Sequence, residues 1–166
     1  MHDDQPEVFQ AYLTLVYTDT VENDPETPGY PYPGLIKLFI LADKLHDLVA
    51  ASKVMDETLA IPSKINCFPN TSAIRLAYWE TARGEPMQRL MAQLYVHGPN
   101  DLPNSSQLMS LPREFLADVA SSFMGVKNHF PNSSVKQTFS QETSPNDRCR
   151  YHLHNAEYPD LSLIHI

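Results

Sequence analysis

Glycine is scarce in this sequence, and its distribution excludes one class of binding site. Only five glycines occur among the 166 residues, and they are too scattered to form the glycine-rich turn that cradles a phosphate. Nucleotide binding through a P-loop or a Rossmann turn is therefore excluded. Proline, by contrast, is abundant, and its 14 residues divide the chain into short segments.

Positive charge is missing from the first 36 residues. This segment contains seven acidic residues and neither Lys nor Arg, and the whole chain has a formal net charge of −8. A surface of this sign repels phosphates, so direct binding to nucleic acid is not expected. The seven acidic residues are Asp3, Asp4, Glu7, Asp19, Glu22, Asp24 and Glu26.

Long hydrophobic runs are also missing. No window approaches the roughly 18 apolar residues of a membrane span, and the first residues lack the basic and apolar regions of a signal peptide. We therefore expect a soluble intracellular protein, cytoplasmic or nuclear, without membrane association. In such a compartment, Cys67 and Cys149 are not expected to form a disulfide.

Apolar residues are nevertheless numerous enough for a folded core. Leu, Ile, Val and Phe make up about a quarter of the chain, which argues against wholesale disorder. Their spacing is helical in several segments, so we predict a mostly α-helical fold. The predicted helices span about 6–17, 35–48, 45 or 48 to 59, 71–81, 86–96 and 112–124.

Local signals add detail to these predictions. The first helix is expected to begin with Asp4 as N-cap and to align Val8, Phe9, Tyr12, Leu13 and Val16 on one stripe. Residues 18–34 contain four prolines and predict a loop, with room for a short strand around Thr20. The next apolar stretch should break near 44–47, and the helix after it should end before Pro62.

Several motifs, taken in order, resemble the BTB/POZ family of filamentous fungi. The first motifs resemble the second half of the BTB/POZ domain, and the later ones resemble the helical extension that follows it in the fungal proteins. The motifs are DQPEVF at 4–9, LTLVYT at 13–18, LADKL at 41–45, YVH at 95–97, LPREFL at 111–116 and CRYHLH at 149–154.

The resemblance implies an arrangement in three parts. Residues 1–61 would form the helical C-terminal part of an α+β BTB/POZ domain, 62–125 a helical extension, and 126–166 a disordered or irregular tail. Family members have strands and a helical hairpin before the first motif, so the resemblance implies a fragment without its front half. The last six residues, 161–166, look like the translation of a sequencing adapter, and we expect that they are not native.

The family also implies a function. BTB/POZ proteins are non-catalytic interaction modules, so the expected partner is a second copy of the chain or a cullin-type ubiquitin ligase scaffold. One alternative is a truncated product with no independent function. The other is a small metal- or cysteine-dependent enzyme.

The candidate chemical sites are incomplete. Cys149, His152 and His154 supply at most three of the four ligands of a structural zinc site, so a solvated tail is the favoured interpretation. Cys67 could be served by His46 or His97 as a base, but a half-buried structural thiol is favoured. We therefore expect no catalytic residues, no metal and no cofactor.

Two apolar patterns bear on partner binding. The stripe formed by Met87, Leu90, Met91 and Leu94 suits either an adaptable binding groove or the core, and its helical spacing favours the core. The stretch 35–48 is apolar nearly all round and needs partners on several faces. If the front half of the domain is missing, part of this helix should be left bare.

Overall fold

Helices account for most of the described chain. A computed structural model describes residues 5–21, 31–98 and 105–129, apart from the side chains of 105, 107 and 125–129, and no strand occurs in these ranges. The prediction of a mostly α-helical fold is confirmed. The helices are α1 (Pro6–Thr18), α2 (Tyr32–Lys44), α3 (Leu48–Ile65), α4 (Thr71–Glu80), α5 (Pro86–His97), α6 (Ser105–Met109) and α7 (Arg113–His129).

Helix α1 begins at Pro6. Pro6 occupies the first turn, where its missing N–H is not needed, and the N-cap is therefore Gln5 rather than Asp4, which lies outside the described residues. The helix ends at Asp19, whose left-handed backbone (φ 63°) lets its N–H donate to the carbonyl of Leu15 at 2.9 Å. The predicted helix 6–17 is confirmed.

The predicted loop at 18–34 extends too far towards its C-terminal end. Helix α2 begins at Tyr32, because Pro33 is compatible with the first turn of a helix and does not exclude one there. The sequence leaves room for a short strand around Thr20, but none forms at residues 19–21, and the Thr20 hydroxyl lies 2.6 Å from that of Thr18. Residues 22–30 of this loop lie outside the described residues.

Helix α3 continues past the proline that was expected to stop it. It ends at Ile65, and Pro62 lies buried in its last turn. Proline at this point costs the helix one backbone hydrogen bond, the one that Thr58 would accept, and the burial of its ring against the core offsets part of this loss. The predicted break at 44–47 is confirmed, since α2 ends at Lys44 and α3 begins at Leu48.

The start of α3 is tied to α1 by a polar contact. Asp47 is the N-cap of α3 and accepts a hydrogen bond from the backbone N–H of Ala50 at 3.0 Å. Its other carboxylate oxygen accepts the Tyr12 hydroxyl at 3.0 Å. One carboxylate therefore both caps a helix and fixes a second helix against it.

The C-terminal helices differ from the prediction in their bounds. Helix α6 lies between the predicted helices 86–96 and 112–124, where no helix is predicted, because five residues are too few to show a periodicity. Helix α7 begins one residue after the predicted start at Pro112 and runs to His129, beyond the predicted end at Met124. The rest of the predicted tail, 130–166, lies outside the described residues.

Helix α2 lies at the centre of the core. It packs against α1, α3 and α4, and most of its apolar side chains are buried, whereas Leu45, which directly follows it, is half exposed. The buried side chains of α2 are Tyr32, Leu35, Ile36, Leu38, Phe39, Leu41 and Ala42.

Helix α7 is attached through one aromatic cluster. Phe115 is fully buried, with its ring edge-on to Tyr78 at 5.5 Å and to Tyr95 at 5.2 Å between centroids. The Tyr78 hydroxyl donates to a carboxylate oxygen of Asp118 at 2.7 Å, one turn further along α7. These contacts fix α7 against α4 and α5.

The hydroxyls of Tyr32 and Tyr95 differ in their hydrogen bonding, so we expect their removal to have different effects on stability. The Tyr32 hydroxyl donates to the backbone carbonyl of Cys67 at 2.8 Å, whereas the buried hydroxyl of Tyr95 has no hydrogen-bond partner among the residues that the structure describes. We expect Tyr32→Phe to lower the free energy of unfolding by about 1 kcal/mol and Tyr95→Phe to leave it unchanged or raise it slightly. Urea denaturation of both variants measures the difference, and equal losses would contradict the assignment.

Candidate interaction surface

The surroundings of Cys67 affect the reactivity of its thiol. It is half-buried in the connection between α3 and α4, and burial raises the pKa of its thiol. Because the thiolate is the nucleophilic form, a raised pKa leaves less of the reactive species at neutral pH. Of the two candidate bases, His46 lies exposed in the turn before α3, and His97 is buried at the end of α5.

The methionine-rich stripe of α5 belongs to the core. Met87, Leu90, Met91 and Leu94 are all fully buried. The interpretation favoured from helical spacing is confirmed, and the stripe is not an exposed groove.

No metal site or membrane span is found in the part of the chain that the structure describes. That part contains no cluster of three or more His, Cys, Asp or Glu side chains that could hold a metal ion. Nor does it contain a helix that is both long enough and apolar enough to cross a bilayer. The predicted candidates Cys149, His152 and His154 lie outside the described residues.

Helix α1 exposes an apolar stripe on the side away from the core. Phe9, Val16 and Tyr17 are 47%, 50% and 84% exposed, and Leu13 between them is half-buried. Their spacing of four, three and one residues places them on one side of the helix. We call these four residues the α1 face.

The sequence prediction for α1 combined parts of two stripes. Leu15, which it omitted, is the fully buried residue, and Val8 and Tyr12 are half-buried beside it. Phe9 and Val16, which it placed on the same stripe, point to solvent. The sequence shows that the apolar residues of α1 follow two helical rows, but only the packing of α1 on α2 shows which row is buried.

Helix α7 has a comparable exposed row. Leu116, Ala120, Phe123 and Met124 are exposed and follow helical spacing, on the side away from the buried Phe115. We call these four residues the α7 face. Both helices thus bury one apolar row and expose another.

Lysines of neighbouring helices contact both ends of α1. Lys53 of α3 forms an ion pair with Asp19. Lys37 of α2 donates to the side-chain carbonyl of Gln5 at 2.8 Å. Glu7 lies exposed in the first turn. Both lysines that contact the caps of α1 therefore already have partners.

Comparison with known proteins does not assign this chain to a family. Neither protein-family models, nor curated proteins, nor solved structures give a match. The resemblance of the ordered motifs to BTB/POZ proteins therefore remains a prediction. The exposed apolar faces are the observations on which a function can be argued.

Proposed function

We propose that this chain is a non-catalytic protein–protein interaction module of BTB/POZ type. The observation that supports this proposal best is the pair of exposed apolar faces on α1 and α7, each on a helix that is already anchored in the core through its opposite side. Soluble monomers rarely expose contiguous apolar surface without a use for it, and such patches mark interaction sites. The proposed location is intracellular, in the cytoplasm or nucleus.

A helix whose buried side is packed against the core is suited to binding a partner through its exposed side. Because α7 is held by Phe115, its exposed row keeps one geometry, and little conformational freedom remains to be lost on association. Phe and Met side chains are enriched at protein interfaces, and burial of their apolar surface contributes about 25 cal/mol per Å² before association costs.

We assign the α7 face to a second copy of the chain. Arg113 and Glu114 both lie exposed at the start of α7, so the same segment presents both signs of charge. In a contact with two-fold symmetry, both copies present the same surface to each other. The positive charge of one copy can then pair with the negative charge of the other. The motif resemblance adds a cullin-type ubiquitin ligase scaffold as a second protein partner.

Sedimentation equilibrium between about 1 and 100 μM tests the assignment over the range of micromolar affinities. We expect a dimer that is weakened at least about tenfold by the double substitution Leu116→Ser and Met124→Ser, since two apolar side chains of the contact are lost. Trp79→Ser, which changes an exposed aromatic on α4, is the matched control and should leave the dimer intact. A chain that stays monomeric throughout and does not bind a cullin scaffold in calorimetry would contradict the proposal.

The two alternatives make different predictions. A truncated product without independent function should aggregate, whereas an interaction module should give a single cooperative unfolding transition. For an enzyme with Cys67 as nucleophile, thiol labelling of the Cys149→Ser variant should be rapid. Because burial raises the pKa of Cys67, we expect labelling at pH 7.5 to be at least about tenfold slower in the native protein than in urea. Equal rates would favour the enzyme.

A further inference from the structure

Helix α4 displays an exposed tryptophan that is stacked with an arginine. Trp79 is 65% exposed, and it is the single tryptophan of the chain. The guanidinium carbon of Arg75, one turn earlier, lies 4.3 Å from the centroid of the indole ring. Ile74 and Tyr78 pack the same helix into the core, so the two exposed groups stand on a fixed support. We call Arg75 and Trp79 the α4 pair.

The guanidinium of Arg75 has no carboxylate beside it in the ranges that the structure describes. Arg75 is half-buried there and forms neither a hydrogen bond nor an ion pair, not even with the exposed Glu80 that follows Trp79. Its Nε atom is fully enclosed and lacks an acceptor. A charge that is partly removed from water is unfavourable without a counter-charge, and stacking on an indole offsets only part of this cost. The α4 pair is therefore suited to receive an anion.

The geometry of the pair favours a carboxylate. Because Nε is enclosed, an anion must approach the two terminal Nη groups of Arg75. Their N–H bonds lie in one plane and match the two oxygens of a carboxylate. The exposed indole beside them offers an apolar surface to a neighbouring side chain of the same ligand. The net charge of −8 opposes the approach of a polyanion, whereas a single carboxylate carries only one charge.

The exposed apolar area of the pair is small. At 65% exposure, Trp79 offers roughly 150 Å² of surface. Leu76, the apolar residue next to Arg75, is already partly buried against the core. A stable dimer buries about 800 Å² on each partner, so the α4 pair is too small to hold a second copy of the chain by itself. It suits a short segment that is anchored through one or two side chains.

We infer that the α4 pair binds a short segment of a partner protein, which presents an Asp or Glu carboxylate beside a large apolar side chain. The carboxylate pairs with the Nη groups of Arg75, and the apolar side chain packs on the exposed indole of Trp79. Trp and Arg are among the residue types that most often dominate binding at protein interfaces. This inference rests on the proposed interaction function and names a class of partner for a surface other than the α7 face.

A synthetic peptide provides the probe. It is a short acetylated and amidated peptide with the central sequence Leu-Asp-Leu and no aromatic residue. Because the full chain contains one tryptophan, its indole fluorescence reports directly on the α4 pair. Two matched peptides separate the contributions: Leu-Asn-Leu lacks the charge, and Ser-Asp-Ser lacks the apolar side chains. We expect a saturable change with a Kd below about 1 mM for the first and at least about fivefold weaker binding of the other two.

Substitutions in the protein locate the binding site through the fluorescence anisotropy of a dye-labelled Leu-Asp-Leu peptide. Arg75→Gln and Trp79→Ser should each weaken binding by at least about fivefold. Arg75→Lys keeps the charge but loses the planar pair of donors, so binding should still weaken by about threefold or more. Arg89→Gln is the matched control, because it removes the same charge from an exposed arginine of α5, and it should bind as the unsubstituted chain does.

Several results would overturn the inference. Absence of saturable binding, or equal binding of the Leu-Asn-Leu peptide, would show that no carboxylate is recognised. Unchanged binding by Arg75→Gln or Trp79→Ser would place the peptide elsewhere. Loss of self-association in Trp79→Ser would show that a second copy occupies the α4 pair, which contradicts this inference but leaves the proposed interaction function standing. Conversely, peptide binding by a chain that does not dimerise through α7 would contradict only the α7 assignment.

Discussion

Replacing Phe115 with alanine is expected to lower the free energy of unfolding by about 3–5 kcal/mol. Phe115 is fully buried, and its ring meets Tyr78 and Tyr95 edge-on, so the substitution removes both the burial of a large side chain and two aromatic contacts. The cavity would open between α7 and the helices that it packs against. Urea denaturation followed by circular dichroism measures the change.

The matched control for this substitution lies on the same helix. Phe123→Ala makes the same chemical change at a side chain that is 44% exposed, so we expect a loss below about 1 kcal/mol. Comparable losses in the two variants would mean that α7 is not anchored through Phe115. The same pair matters for function, because the α7 face keeps a fixed geometry only while its opposite side remains packed.

Much of the helical structure is predictable from the sequence, because its signals are local. The segments 71–81 and 86–96 match α4 and α5 closely, since Asn70 caps α4 through the N–H of Ala73 and Pro86 opens α5. Apolar spacing within each segment then determines which side is buried. The burial of the methionine-rich row of α5 follows from the same periodicity.

Other features depend on tertiary context and were not predictable in this way. A proline in a sequence normally ends a helix, but Pro62 is accommodated because it lies in the last turn and is buried against the core. The short α6 offers too few residues for a periodic signal. In these places the packing of distant segments outweighs the local preference.

The candidate interaction surface shows a further limit of sequence periodicity. Helix α1 has two apolar rows, and spacing alone does not distinguish the row that packs on α2 from the row that remains exposed. Leu15 is buried, while Phe9 and Val16 are about half exposed, and only the position of α2 decides between them. Exposed apolar rows of this kind are therefore recognised only after the core has been assigned.

Replacing Phe39 with alanine is the second substitution from which we expect a loss of about 3–5 kcal/mol in the free energy of unfolding. Phe39 is 1% exposed in the middle of α2, the helix that α1, α3 and α4 surround. If α2 were instead left bare, as in a truncated product without a complete core, truncating this ring would cost little. Leu45→Ala is the matched control, because Leu45 lies at the end of the same helix and is half exposed. Urea denaturation should therefore show a large loss for Phe39→Ala and a small one for Leu45→Ala. Equal, small losses would mean that α2 does not form the centre of a packed core, and both exposed faces would then lack the rigid support on which the proposed binding depends.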